Sequence, residues 1–294
     1  MTGGPGGGIE RKPAVAGLLL PKRSLGQNFL VHRGTARTIV DFCRLEPDDH
    51  VVELGVGLGA LTREIQGRVT RVIGIEIDRR FVAWLGEKNR VAGNVELRQA
   101  DMLEISFRDI ALDAGGKIKV VGNLPYNISS QILFRLFADR DFIAAAVLMF
   151  QKEVAERLVA RPGSKRYGIL SVLTGYCAAA ERLMDVPPTV FRPRPKVTST
   201  VVRLRFQTPK SAVLDFDFFR TTVRKAFQQR RKTICNALKG IGGLANADIV
   251  SALSECGIDG HLRAEDLDRD GFVQLSDALY SMRGRMLTGG EGVG

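Results

Sequence analysis

The chain has little of what builds metal centres, disulfide scaffolds or membrane spans. Its four cysteines, Cys43, Cys177, Cys235 and Cys256, lie far apart and form no C-x-x-C pair. Neither a zinc site nor a disulfide framework is expected, and the usage fits a reducing, cytoplasmic compartment. The only histidines are His32, His50 and His261, too few for a histidine cluster, so no metal is expected. No apolar run approaches the ~20 residues of a transmembrane helix, and the "GLLL" at 17–20 is too short for a secretory signal core. Acidic residues are outnumbered, 32 Asp and Glu against 43 Lys and Arg, for a net charge of +11. Such a balance points to a polyanionic partner, nucleic acid first among them, with colloidal solubility as the plain alternative.

What is present reads as a globular α/β protein. At 294 residues, 45% hydrophobic and 26% charged, the chain can bury a large domain and a smaller one. Buried strands are expected at "HVVELG" (50–55), "RVIGIEID" (71–78), "NVELRQAD" (94–101), "KIKVVGN" (117–123) and "AAAVLMF" (144–150). Helices are expected at 61–68, 79–89, 129–137 and 152–160. This alternation predicts a parallel sheet with helices on both faces. "VTSTVVRLRF" (197–206) adds a late strand, and after "QTPKS" the chain turns helical. The division expected is a flexible tail over 1–23, an α/β domain over 24–208, a small all-α domain over 209–285 and a frayed end over 286–294. A monomer is expected.

The glycine loop "ELGVGLGALT" (53–62) follows the first of these strands. Gly55, Gly57 and Gly59 let the backbone turn tightly and approach a ligand. Glu76 closes the next strand about twenty residues on, where a carboxylate can accept from ribose hydroxyls. This is the pattern of a nucleoside-cofactor site. Because Ala60 completes G-x-G-x-x-G/A, a nicotinamide cofactor remains open on the glycines alone. Asp101, at a strand end, could accept from an adenine amine or simply cap a turn. "NLPY" (123–126) ends the fourth strand. Asn123 offers a side-chain oxygen, Pro125 restrains Leu124 so that its carbonyl is held, and Tyr126 offers a ring for a flat base. Two acceptors and a stacking face suit a planar amine, such as N6 of adenine, better than a hydride acceptor.

These motifs stand in a longer series. "SLGQNFL" (24–30), "ELGVGLGALT", "GIEID", "NLPYNISS", "MFQKEVAERL" (149–158), "KRYGILSVL" (165–173), "FRPRPKVTSTVVRL" (191–204), "FQQRRKTICNAL" (227–238) and "LRAEDL" (262–267) follow in order. The chain thereby resembles the KsgA/Dim family of rRNA adenine N6-dimethyltransferases, over nearly its whole length after the tail. The resemblance implies a class I, Rossmann-like fold that uses S-adenosylmethionine, with small-subunit (16S) ribosomal RNA in an immature subunit as partner. It implies that Gln27, Asn28 and Leu30 help close the cofactor site and that Gly55, Gly57 and Gly59 approach the methionine portion. Glu76 would hold the ribose, Asp101 and the Met102 backbone the cofactor's adenine. Asn123 and the Leu124 carbonyl would hold the substrate amine, with Tyr126 and Phe191 on either side of the base. Val56 stands where many members carry proline. Catalysis on large-subunit rRNA or DNA, or a non-catalytic role in ribosome assembly, stays open as an alternative.

A run of basic residues without an intervening acid marks the RNA-binding surface expected here, although such a run is often only a solvated face. Arg220, Arg224, Lys225, Arg230, Arg231, Lys232 and Lys239 fall in one helical stretch; Arg192, Arg194 and Lys196 follow Phe191, and Lys165 and Arg166 precede Tyr167. One stretch works as a decoy. "DLDRDGFVQLSD" (266–277) begins like a calcium loop, with Asp266, Asp268, Asp270 and Gly271, but ends on Asp277 where a bidentate Glu is usual. Phe272 and Leu275 read there as helix core.

Overall fold

Apolar runs and amphipathic helices alternate as expected through the first two thirds of the chain. The computed structural model describes residues 20–22, 25–87, 90–208 and 211–289, the last four by backbone alone. The strands are β1 (Phe29–Leu30), β2 (His50–Leu54), β3 (Arg71–Glu76), β4 (Val95–Gln99), β5 (Ile118–Asn123), β6 (Ile143–Gln151), β7 (Ala178–Val186), β8 (Phe191–Arg192) and β9 (Ser199–Phe206). The helices are α1 (Arg33–Phe42), α2 (Thr62–Ile65), α3 (Arg79–Gly86), α4 (Phe107–Asp113), α5 (Ser129–Ala138) and α6 (Lys152–Leu158). They continue as α7 (Ile169–Cys177), α8 (Phe216–Gln228), α9 (Ile234–Ala237), α10 (Asn246–Glu255) and α11 (Arg269–Gly289).

Seven strands form one sheet in the order β4-β3-β2-β5-β6-β9-β7. The five from β2 to β6 are parallel to their neighbours, as the alternation predicts. β9 enters antiparallel between β6 and β7, so the sheet is mixed rather than parallel throughout. β7 escapes a sequence reading because it is an edge strand with Glu181, Arg182 and Asp185 exposed. The two-residue β1 and β8 pair with each other, antiparallel, outside the main sheet.

One apolar cluster covers α1, α2 and one face of the sheet, taking in Leu30, Ile39, Ile65, Val121 and Phe191. The other covers α4, α5 and α7 and runs without a break into the C-terminal helices. α8 buries Phe218, Phe219, Val223 and Phe227 on one stripe, each contributing ~1.5–3 kcal/mol by burial. Tyr176 of α7 meets Phe219 at 4.9 Å and Phe216 at 5.9 Å. The Tyr167 hydroxyl donates to the Leu267 carbonyl at 3.0 Å.

α11 continues to Gly289, so residues 286–289 are helical where a frayed end is expected from 286. The tail expected over 1–23 lies mostly outside the described residues, as do 290–294. Among the described residues no helix is long and apolar enough to cross a membrane.

Candidate active site

The parallel strands leave a crevice where the chain reverses direction across the sheet. From β2 it crosses to β3 on one side, and from β5 to β6 on the other; ligands bind beyond the carboxyl ends of strands at such a switch. The β2–β5 register sets Leu54 opposite Gly122, so the glycine loop and Asn123 emerge side by side. Gly55 and Gly57 are left-handed, at φ +76° and +53°. Gly57 N–H donates to Glu76 Oε2 at 2.8 Å, and Asp78 N–H to Glu76 Oε1 at 2.9 Å. Each oxygen keeps a lone pair for a ligand hydroxyl. Burial pushes the Glu76 carboxyl above its ordinary range, against these two backbone donors.

A narrow cavity of about 60 Å³ lies over this floor. Gln27, Asn28, Gly55, Gly57 and Glu76 line it, with Met102, Asn123, Leu124 and Pro125 completing the wall. All nine are expected from the sequence; Leu25, Gly26, Phe29 and Ile77 line it as well and are not. Ile77 is 43% exposed and offers an apolar face beside Glu76. Its signal is weak, because a lone aliphatic at a strand end usually belongs to the core.

Residues 25–30 cross the cavity as a strap. Asn123 Nδ2 donates to the Asn28 carbonyl at 2.8 Å. A carbonyl only accepts, so the amide nitrogen must face the strap, which leaves Asn123 Oδ1 as the free acceptor. Gln27 accepts from Lys22 N–H at 2.7 Å and reaches Asp78 Oδ2 at 3.5 Å. Asp78 is buried, pairs with Arg80 at 2.7 Å and is held well below the usual carboxylate range by that guanidinium.

Residues 20–280 match the family model for ribosomal RNA adenine dimethylase. The chain belongs to that family. It is 43% identical over 267 residues to ribosomal RNA small subunit methyltransferase A of Geobacter metallireducens, covering 90% of this chain and 97% of the relative. It is 45% identical over 269 residues to the protein of the same name from Moorella thermoacetica, covering 89% and 93%. Among solved structures, a dimethyladenosine transferase from Plasmodium falciparum shares the fold, with TM-score 0.71, 24% identity and coverage of 87% and 98%. The 23S rRNA methyltransferase ErmE aligns with TM-score 0.64 and 28% identity, covering 86% of this chain and 99% of ErmE.

Within this dimethylase the NLPY loop is held at several points. The Pro125 carbonyl accepts from Ile128 N–H and Ser129 Oγ, both at 3.3 Å. The Leu124 side chain is buried, so only its backbone can serve a ligand. Tyr126 opens a short 3-10 turn and is half-buried, its hydroxyl 2.7 Å from Ser199 Oγ.

Phe191, Leu30, Gly59 and Asp101 do not line that cavity. Phe191 is fully buried in the core under β1, paired in register with Leu30; its ring presents no face to the crevice, contrary to expectation. Leu30 is buried beside it, but it lines a smaller hollow of about 30 Å³ together with Gly55, Gly57 and Asn123. Gly59 lies behind the loop, where a Cβ would stand 3.0 Å from Leu85 Cδ2; it allows close packing of α3 rather than ligand approach. Asp101 Oδ1 accepts from Leu103 N–H at 2.8 Å and closes a turn two residues past β4.

Glu53 is a further residue not expected from the sequence. It is fully buried under the glycine loop, accepts from Thr62 Oγ at 2.7 Å, and burial pushes its carboxyl up to about 8. An acid inside an apolar strand run was the available signal.

The basic surface is less uniform than its sequence. Arg166 pairs with Glu153 and Glu156, both at 3.3 Å, Arg220 with Asp217 at 3.1 Å, and Arg230 with Glu265 at 2.9 Å. The expected absence of carboxylates therefore fails at three positions: Asp217 stands one turn before Arg220 on the same helix, whereas Glu153, Glu156 and Glu265 are brought in from other segments. Arg192 donates to the Phe191 carbonyl at 2.9 Å. Arg194, Lys196 and Lys165 are exposed. Arg230, Arg231 and Lys232 fall in the turn between α8 and α9, not in one helix, since Gln229 leaves helical geometry and Thr233 caps α9. Lys225, Lys232 and Lys239 share a hollow of about 430 Å³ with Gln228, Gln229 and Asn236; Arg224 is exposed nearby.

The calcium-like stretch is a helix start. Asp266 accepts from Arg263 N–H at 2.9 Å, Asp268 from Gly271 N–H at 2.8 Å and Asp277 from Leu214 N–H at 2.9 Å. Phe272 and Leu275 are core residues, as expected. Among the described residues no group of three or more His, Cys, Asp or Glu is placed to hold a metal ion.

Proposed function

We propose that this dimethylase transfers methyl groups from S-adenosylmethionine to the N6 amines of two adjacent adenines in a 3′-terminal hairpin of small-subunit ribosomal RNA. The product is N6,N6-dimethyladenosine, made during ribosome biogenesis. One observation carries the reading: the Asn123 amide is turned by the Asn28 carbonyl so that its oxygen is free at the crevice. The small subunit methyltransferases that match over nine tenths of their length support the choice of substrate.

The residues fit the cofactor. Left-handed Gly55 and Gly57 permit close backbone approach, the Glu76 oxygens can accept from ribose hydroxyls, and Ile77 and Met102 flank the place for a base. When bound, S-adenosylmethionine supplies an electrophilic methyl group. Gln27 and Asn28 on the strap would close over it, and a nucleoside requires the strap to yield, since pockets for such ligands hold ~300–1,000 Å³.

The adenine N6 lone pair is delocalised into the ring and attacks poorly. Asn123 Oδ1 and the Leu124 carbonyl, accepting both N–H groups, favour a pyramidal nitrogen with a directed lone pair. Orientation is then the main device, with up to ~7–11 kcal/mol available from effective molarity in well-fixed systems. The Tyr126 π-face favours the developing positive charge by ~0.5–2 kcal/mol. The amine becomes acidic as it is alkylated, so no general base is required before attack. Lys225, Arg231, Lys232 and Lys239, with Arg194 and Lys196 beside the crevice loop, would hold RNA phosphates while unpaired adenines are splayed inward.

The test is transfer of labelled methyl from S-adenosylmethionine to undermethylated small subunits, followed by nucleoside analysis. Label in N6,N6-dimethyladenosine is the expected result. Label confined to large-subunit RNA or DNA overturns the substrate assignment.

A further inference from the structure

Tyr126 is gripped at the far end of its ring by a residue from another strand. Its hydroxyl lies 2.7 Å from Ser199 Oγ, across 73 positions of sequence. Ser199 is fully buried and opens β9, where the register sets it between Gln151 of β6 and Val186 of β7. Its neighbours in the chain are tied to both flanking strands. On one side Lys152 N–H donates to the Thr198 carbonyl at 3.0 Å, and on the other Thr200 Oγ donates to Asp185 Oδ1 at 2.7 Å.

The near end of the ring is held too, through the Pro125 carbonyl and its donors Ile128 N–H and Ser129 Oγ. Burial keeps the Tyr126 hydroxyl neutral, with its pKa raised, so a proton is present for the bond. A ring fixed only at Cβ can tilt and twist about two torsions. A second anchor at the phenol oxygen fixes the direction of the ring axis, and because a phenol hydroxyl prefers to lie in the ring plane, the direction of its bond to Ser199 also favours one rotation about that axis.

We propose that Ser199 is a positioning residue, holding the axis of the Tyr126 ring, and with it the place of the stacking face, for the target base through the Tyr126–Ser199 hydroxyl pair. The inference rests on the stacking role of Tyr126 in the function proposed above. It accounts for a serine at the buried start of β9, where a β-branched apolar residue would otherwise suit a strand.

The experiment is a double-mutant cycle in the full chain: Ser199→Ala, Tyr126→Phe and both together, assayed for methyl transfer to undermethylated small subunits. Each single change is expected to lower kcat by roughly 10- to 100-fold, the scale of a 1 Å misplacement. KM for the subunit should stay unchanged, and the double variant should be no slower than either single one. Wild-type kcat in Ser199→Ala overturns the inference, as do losses that multiply in the double variant or a change confined to KM. Should Ser199→Ala fail to fold, Tyr126→Phe decides, because it removes only the phenol oxygen; unchanged kcat there is equally fatal. The outcomes separate the two readings. A wild-type chain that places no label on adenine N6 refutes the function itself, whereas an active wild type with an additive cycle refutes only the anchor.

Discussion

Asn123 shows how one amide acquires a direction. Its identity at a strand end was legible, but its orientation comes from the Asn28 carbonyl, 95 residues away in sequence. Asn123→Ala removes both the acceptor and the strap contact, so methyl transfer should fall by about 10²–10³-fold, the usual loss for a positioned hydrogen-bonding group; single-turnover assays at saturating cofactor check this. Glu53 carries a pH signature. Its folded-state carboxyl lies at about 8 against an ordinary 4.5. Between those values the folded chain keeps a proton that the unfolded chain has released, so stability is greatest below pH ~4.5 and is lost as pH rises through ~8. Glu53→Gln keeps an acceptor for Thr62 and has no charge to bury. Thermal unfolding of that variant should match the parent near pH 5 and exceed it by several degrees near pH 8.5, with an upper bound of a few kcal/mol.

At the scale of elements, the glycine loop and the strap form one unit. A Cβ at Gly57 would stand 2.9 Å from Phe29 Cδ1, on a residue at φ +53°. Gly57→Ala should cost ~1–2 kcal/mol for the left-handed backbone alone and displace the strap as well. Calorimetry should then show cofactor affinity down by roughly tenfold or more, each ~1.4 kcal/mol being a factor of ten. Gly67→Ala is the control, since nothing lies within 4 Å of a Cβ there and its φ is ordinary. The motif G-x-G-x-x-G/A was readable, yet it left a nicotinamide cofactor open. NLPY favours an amine over a hydride acceptor already in the sequence, and the register that sets Leu54 opposite Gly122 brings that loop beside Gly55. Gly59 shows the converse: the same motif includes a glycine whose task is packing against Leu85.

Across the whole molecule, charge and core follow different logics. The net charge of +11 is a sum that any fold of this chain would carry, but its distribution is tertiary. Arg230 and Arg166 acquire carboxylate partners from other segments, while Lys225, Lys232 and Lys239 converge on one hollow. Replacing Arg231 and Lys232 by Ala should reduce the slope of log affinity against log salt by roughly one per phosphate contact removed; filter binding to small-subunit RNA across a salt series measures it. The same variants should leave cofactor affinity unchanged, because neither residue lines the crevice. Strand and helix order up to β6 were open to reading, because hydrophobic periodicity is a local property. So were the residues that meet at the switch point, because strand ends converge wherever parallel strands align. The antiparallel insertion of β9, the burial of Phe191 and the Tyr126–Ser199 contact could not be read that way. Each depends on register between segments far apart in the chain, and a one-residue slip would turn each of these side chains to the other face.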